Sequence, residues 1–149
     1  MSATGLDVFD STIHLTNQWL KEIMEELGWR DRLIAYRALR ATLHALRNRL
    51  TVDEVAQFSA QLPMLVRGFY YEGWDPSVKP LKERHSDHFL EWIKQEMRGN
   101  EPINPERVAR AVFGVLQRRI TAGEIEDVKH MLPSHIRELW PAAEHAHVS

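Results

Sequence analysis

The chain has 149 residues, 44% of them hydrophobic and 27% charged, with a formal net charge of -2. That is the composition of a folded domain able to bury its own core, and the charge excludes a strong global pull toward nucleic acid or an anionic membrane. Cysteine is absent, which excludes disulfides, thiolate metal sites and cysteine nucleophiles.

Residues 1–10 carry neither the basic nor the apolar region of a secretory leader, and no stretch approaches the length of a bilayer span. The expectation is a cytoplasmic protein with no membrane partner. Ile13, Trp19, Leu20, Ile23, Met24 and Leu27 mark a first helix, with Asp10 or Ser11 as its cap and Gly28 as its stop. Tyr36, Leu39, Leu43, Leu46 and Leu50 recur at helical spacing and predict a second helix from about Asp31 to Arg49. Thr51-Val52-Asp53-Glu54 reads as a capping box, in which threonine and glutamate each satisfy an amide of the other's residue. The helix after it buries Val55, Phe58 and Leu62 and ends at Pro63; a short helix from Met64 to Tyr71 is broken by Gly73, Asp75 and Pro76.

The same order returns downstream. A polar connection, 77–86, leads to a helix capped by Ser86, bearing Phe89, Leu90, Trp92, Ile93 and Met97. Asn104-Pro105 opens the next helix, Thr121 to Glu124 forms a second capping box, and a short helix after Pro133 runs to Trp140. At a gapless offset of 70, residues 17–70 and 87–140 share 13 identities in 54 pairs, among them Arg37/Arg107, Arg40/Arg110, Thr51/Thr121, Glu54/Glu124, Pro63/Pro133 and Arg67/Arg137. The fold expected is all-α: a tandem duplication of a roughly 70-residue four-helix unit, packed as one compact domain. Its divisions are an N-terminal segment 1–10, repeat one 11–76, the connection 77–86, repeat two 87–140 and a flexible tail 141–149.

Arg37, Arg40, His44 and Arg47 fall within about one quadrant of a helix. Arg37 and Arg40, with their repeats Arg107 and Arg110, are either arginine–carboxylate braces, with Glu26 and Glu96 as partners, or an anion site in each half. The basic stripe otherwise reads as a solvated face beside Glu22, Glu25 and Glu26, with His44 at its boundary. His85, Asp87 and His88 place two imidazoles around a carboxylate, but no third ligand is set by spacing, so a metal site there is a minor alternative. His145 and His147 lie in the tail. A haem ligand would need a buried histidine; His14 and His44 are the nearest candidates and nothing raises either. Tyr70, Tyr71 and Trp74 concentrate aromatic area at the junction of the halves, either as a plug in the seam or as a contact surface. Glycine-rich phosphate loops, G-x-S-x-G and H-E-x-x-H are all missing, so no cofactor is expected and enzyme chemistry has no positive support.

Taken together, Asn17 to Lys21, Ala35 to Arg40, His44 to Arg47, Gln61 to Leu65, Tyr70 to Trp74 and Gly123 to Val128 resemble a bacterial family, the domain of unknown function 2267, from about Phe9 to Pro141. The resemblance implies a bacterial, cytosolic, all-helical protein and carries no catalytic residues. The expected function is a non-enzymatic helical interaction module that binds a protein partner or a second copy of itself. The alternative is a small-ligand or metal-binding protein.

Overall fold

The computed structural model describes residues 2–78, 86–99 and 102–142, with Ser86 and Asp87 as backbone only. The described residues form eight helices and no strand: α1 Asp7–Leu27, α2 Arg32–Arg47, α3 Val52–Ser59, α4 Met64–Tyr71, α5 Ser86–Glu96, α6 Pro105–Arg119, α7 Ala122–His130 and α8 Ser134–Arg137.

Local chemistry accounts for most of the boundaries. The Asp31 side chain accepts from the Leu33 amide and starts α2, and Asn104 accepts from the Glu106 and Arg107 amides to start α6, with Pro105 at the first helical position. Helix α1 ends at Gly28, whose φ of 68° lets its amide turn back to the Met24 carbonyl, a left-handed residue that a side chain would penalise.

Two boundary expectations change. Helix α1 begins at Asp7, ahead of the expected caps, and its N-cap Leu6 offers no side-chain bond. Asp10 lies inside the first turn and takes the Thr4 hydroxyl at 2.8 Å, the Thr4 amide at 3.1 Å and the Ser2 hydroxyl. A carboxylate that gathers a preceding strip of chain lets the helix extend one turn further back. The capping boxes form only in half. Thr51 and Thr121 accept from the Glu54 and Glu124 amides at 3.2 and 3.4 Å. The glutamates do not reach back: Glu54 Oε2 and Glu124 Oε1 are buried without a partner, and the Thr121 amide meets Gln61 Oε1 at 3.5 Å instead.

The long helices build the core. Helix α2 packs on α1, α4, α5 and α6, and α1 also crosses α6, so the first half is interleaved with the second. Ile23, Leu39, Leu43, Ile93, Phe113 and Leu116 are all buried there. Each such side chain contributes about 1.5–3 kcal/mol on leaving water. Helix α3 meets α7 across the same seam. Positions 70 apart are buried together: Ile23/Ile93, Leu46/Leu116, Val55/Ile125, Leu62/Leu132 and Tyr70/Trp140. Helices α3 and α7 start 70 apart, as do α4 and α8.

Candidate functional site

Helix α2 carries its basic residues along one side, and the structure gives each a specific acceptor. Helix α4 ends without a glycine, its C-cap Glu72 continuing in an extended direction. Its last carbonyls therefore need partners from elsewhere. His44 Nε2 meets the Phe69 carbonyl at 2.6 Å, and Arg47 Nη1 donates to the Tyr70 and Glu72 carbonyls at 2.7 and 2.8 Å. A guanidinium suits the negative end of a helix on both charge and hydrogen-bonding grounds.

The expected solvated stripe and boundary histidine are corrected here. His44 is 4% exposed and Arg47 5%. Burial pushes the His44 imidazole down to about 4, against the pull of its carbonyl bond and with help from the Arg47 and Arg40 charges. The ring is neutral near pH 7, and since a carbonyl only accepts, the proton sits on Nε2. Burial also lowers the Arg47 guanidinium, which stays charged.

Arg40 stands between two acids, with Nε 3.4 Å from Glu72 and Nη1 3.9 Å from Glu96. Arg37 Nη2 donates to the Glu96 and Arg98 carbonyls at 3.1 and 2.8 Å and so closes the end of α5. These residues line a cavity of about 310 Å³ with Tyr36 and Ala41. Its two guanidinium and two carboxylate charges balance. An anion entering it would have to displace Glu72 and Glu96.

The second half does not repeat this arrangement. Arg110 pairs with Glu106 at 3.5 Å on its own helix and donates to the Glu138 carbonyl at 3.3 Å. Arg107 lines a separate cavity of about 420 Å³ between the end of α1 and the start of α6, beside Leu27, Trp29, Ile34 and Gly99. Two other repeated arginines are structural: Arg67 and Arg137 donate to the Leu62 and Leu132 carbonyls at 2.9 and 3.2 Å. The counterparts of His44 and Arg47 are Gly114 and Gln117.

Among the aromatics, Tyr70 is a core residue and not an open contact. It is fully buried, its hydroxyl donates to the Val55 carbonyl at 3.0 Å, and burial raises its pKa. Tyr71 packs against Tyr70 at 5.2 Å and Trp74 against Tyr71 at 5.5 Å, both half-buried on the core. They form a graded stack from the interior outward.

His88 is on the exposed side of α5. His85, the Asp87 side chain, His145 and His147 lie outside the described residues. No group of three or more histidine or acidic side chains able to hold a metal occurs among the described residues. No described helix is long and apolar enough to cross a membrane.

One further feature is announced by no motif. Between α1, α2 and α4 lies an open, largely apolar groove of about 610 Å³, formed by Thr16, Leu20, Leu33, Tyr36, Leu65 and Phe69, with Arg32 and Glu72 at its rim. Leu33 is 62% exposed and Leu65 43%. The Thr16 hydroxyl is buried there without a partner. A signal for it does exist in the sequence. At the offset of 70, Tyr36, Leu65 and Gly68 stand opposite Glu106, His135 and Glu138, so at these positions the second half is polar, while Leu20, Leu33 and Phe69 stand opposite Leu90, Ile103 and Leu139.

Fold and surface together define a compact all-helical protein in which His44 and Arg47 are spent on backbone carbonyls and an open apolar groove lies between α1, α2 and α4. Over residues 16–139 the chain matches a family model described as an uncharacterized conserved protein, DUF2267. It belongs to that family, as the sequence resemblance implied. No curated protein matches the chain.

Proposed function

We propose that this is a non-enzymatic helical protein-interaction module whose working surface is the groove between α1, α2 and α4. A bacterial, cytosolic setting is part of the proposal, supported by the family resemblance. The unit architecture we propose is a duplicated four-helix element of roughly 70 residues, supported by the paired burial and the matching helix starts of its second parts.

The observation that carries the reading is the exposure of Leu33 and Leu65 over the buried Phe69 floor. Apolar area of this kind, rimmed by polar groups, stabilises an amphipathic helix laid along it. The polar network offers no comparable opening, because Arg37, Arg40, His44 and Arg47 already have internal acceptors. A second reading, a small amphiphile as ligand, is favoured by the unpartnered Thr16 hydroxyl in the groove.

The test is capture of binding partners on the immobilised chain, compared with Leu33→Glu and Leu65→Glu. Both positions are exposed, so melting temperature is expected to hold while capture is lost. Undiminished capture by both variants refutes the groove as the working surface. Binding of decanoate to the wild type but not to Leu65→Glu, without any protein partner, favours the second reading.

A further inference from the structure

The groove has a matching ridge on the same face. Along α1, Leu20 and Thr16 line the groove, and the same helical stripe continues toward the N-terminus through Ile13 and Phe9. Ile13 is 40% exposed and Phe9 45%. The neighbouring Thr12 hydroxyl accepts from the Leu65 amide at 3.0 Å, which fixes the ridge beside the groove wall. Ridge and groove are therefore contiguous, and both are apolar and open.

At the offset of 70 the groove is apolar on one half at some of its positions only. Tyr36, Leu65 and Gly68 stand opposite Glu106, His135 and Glu138, while Leu20, Leu33 and Phe69 stand opposite Leu90, Ile103 and Leu139; Phe9 and Ile13 precede the aligned span. The open ridge and the open groove lie on the same half of the chain and share α1. A groove meant for an unrelated partner would not require an apolar ridge beside it. A self-complementary surface requires both.

Resting on the docking-surface reading above, we propose that the occupant is a second copy of this chain. The Phe9 and Ile13 ridge of one protomer seats in the groove of its partner, and the reverse, about a twofold axis. Such an isologous contact closes on itself and leaves no free apolar edge. Charge agrees with the pairing on the α2 side of the groove, where Arg32 stands; the acid of the lining, Glu72, follows α4. The first turn of α1 carries Asp7 and Asp10, and Arg32 stands at the rim of the groove. The twofold brings the acids of one copy toward the base of the other. One helical ridge and one groove on each side form a contact at the small end of specific interfaces, below about 1,200 Å² in total. The dimer is accordingly weak and concentration-dependent.

Sedimentation velocity over a wide concentration series tests this, together with cross-linking that exploits the absence of native cysteine. The wild type is expected to move from monomer to dimer as concentration rises. Phe9→Glu with Ile13→Glu, both at exposed positions, is expected to stay monomeric with unchanged helicity. Separately purified Ile13→Cys and Leu33→Cys chains, mixed and oxidised, are expected to give the mixed disulfide between protomers. A wild type that remains monomeric throughout overturns the second-copy proposal, as does a dimer that survives the double glutamate variant. A monomer whose groove instead takes decanoate or another protein overturns it while leaving the docking surface standing. Failure of the docking reading is separate, and shows as capture indifferent to Leu33→Glu and Leu65→Glu.

Discussion

Replacing Arg47 by Met removes the cation that closes α4 while keeping the aliphatic bulk of its stem. Two acceptors lose their donor, the Tyr70 carbonyl at 2.7 Å and the Glu72 carbonyl at 2.8 Å. A hydrogen bond from a charged donor contributes about 1.5–3 kcal/mol. Two such bonds give a gross loss of roughly 3–6 kcal/mol, from which the relieved desolvation of the guanidinium must be subtracted. That relief is real, because Arg47 is buried and its Nε has no partner. The net expectation is a destabilisation of ~3 kcal/mol, or a Tm about 6–12 °C lower for a chain of this size. The assay is denaturant unfolding followed by circular dichroism, with coincident fluorescence to establish a single transition. Arg47→Gln, which installs the residue found at the counterpart Gln117, is expected to fall between wild type and Arg47→Met. A loss below about 1 kcal/mol for Arg47→Met refutes the reasoning. It would mean that water or a shifted α4 end serves the two carbonyls equally well.

Three further outcomes follow from the same geometry. His44 is held down to about 4 in the folded state and has an ordinary value of 6.5, so its stabilising contribution is complete above 6.5 and is lost as pH falls toward 4; the rise of stability with pH across that window should be smaller in His44→Gln than in the wild type, and an unchanged slope counts against a buried neutral imidazole. Glu124 is raised by burial first, then by the Glu54 and Asp127 charges, so its contribution is complete below its ordinary value of 4.5 and is lost as pH rises through the folded value; Glu124→Gln should stabilise the protein at pH 7 more than at pH 4, with an effect that shrinks in a Glu54→Gln background. Thr51→Ala and Thr121→Ala each remove one hydroxyl acceptor from a helix start and should each cost ~1 kcal/mol, adding within ~0.5 kcal/mol in the double variant by chemical denaturation; one silent substitution would show that the two caps are not equivalent.

Helix identity was legible from residue order because it depends on neighbours three and four positions apart. The stripe from Tyr36 to Leu46 and the caps Thr51, Asn104 and Thr121 are local devices, and the structure places helices where they stand. The offset of 70 was legible for the same reason, since equivalent core positions keep apolar side chains. The start of α1 was missed because Asp10 reads as a cap until Ser2 and Thr4 are seen folding onto it.

What only the tertiary structure decided is where the polar side chains end. A basic stripe on α2 looks the same in sequence whether it meets water, a phosphate or a helix end. Arg37 and Arg40 reach residues of α5 and the turn after it, about sixty positions away in chain order, and His44 and Arg47 reach the end of α4. Their acceptors are mostly backbone carbonyls, which every residue possesses and no residue type announces. The same reason hid the groove. Leu20, Leu33 and Leu65 are apolar residues on three different helices, and each alone reads as core. Whether they are covered depends on how far α1, α2 and α4 stand apart, a distance set by packing of the whole molecule and not by any local stretch of chain.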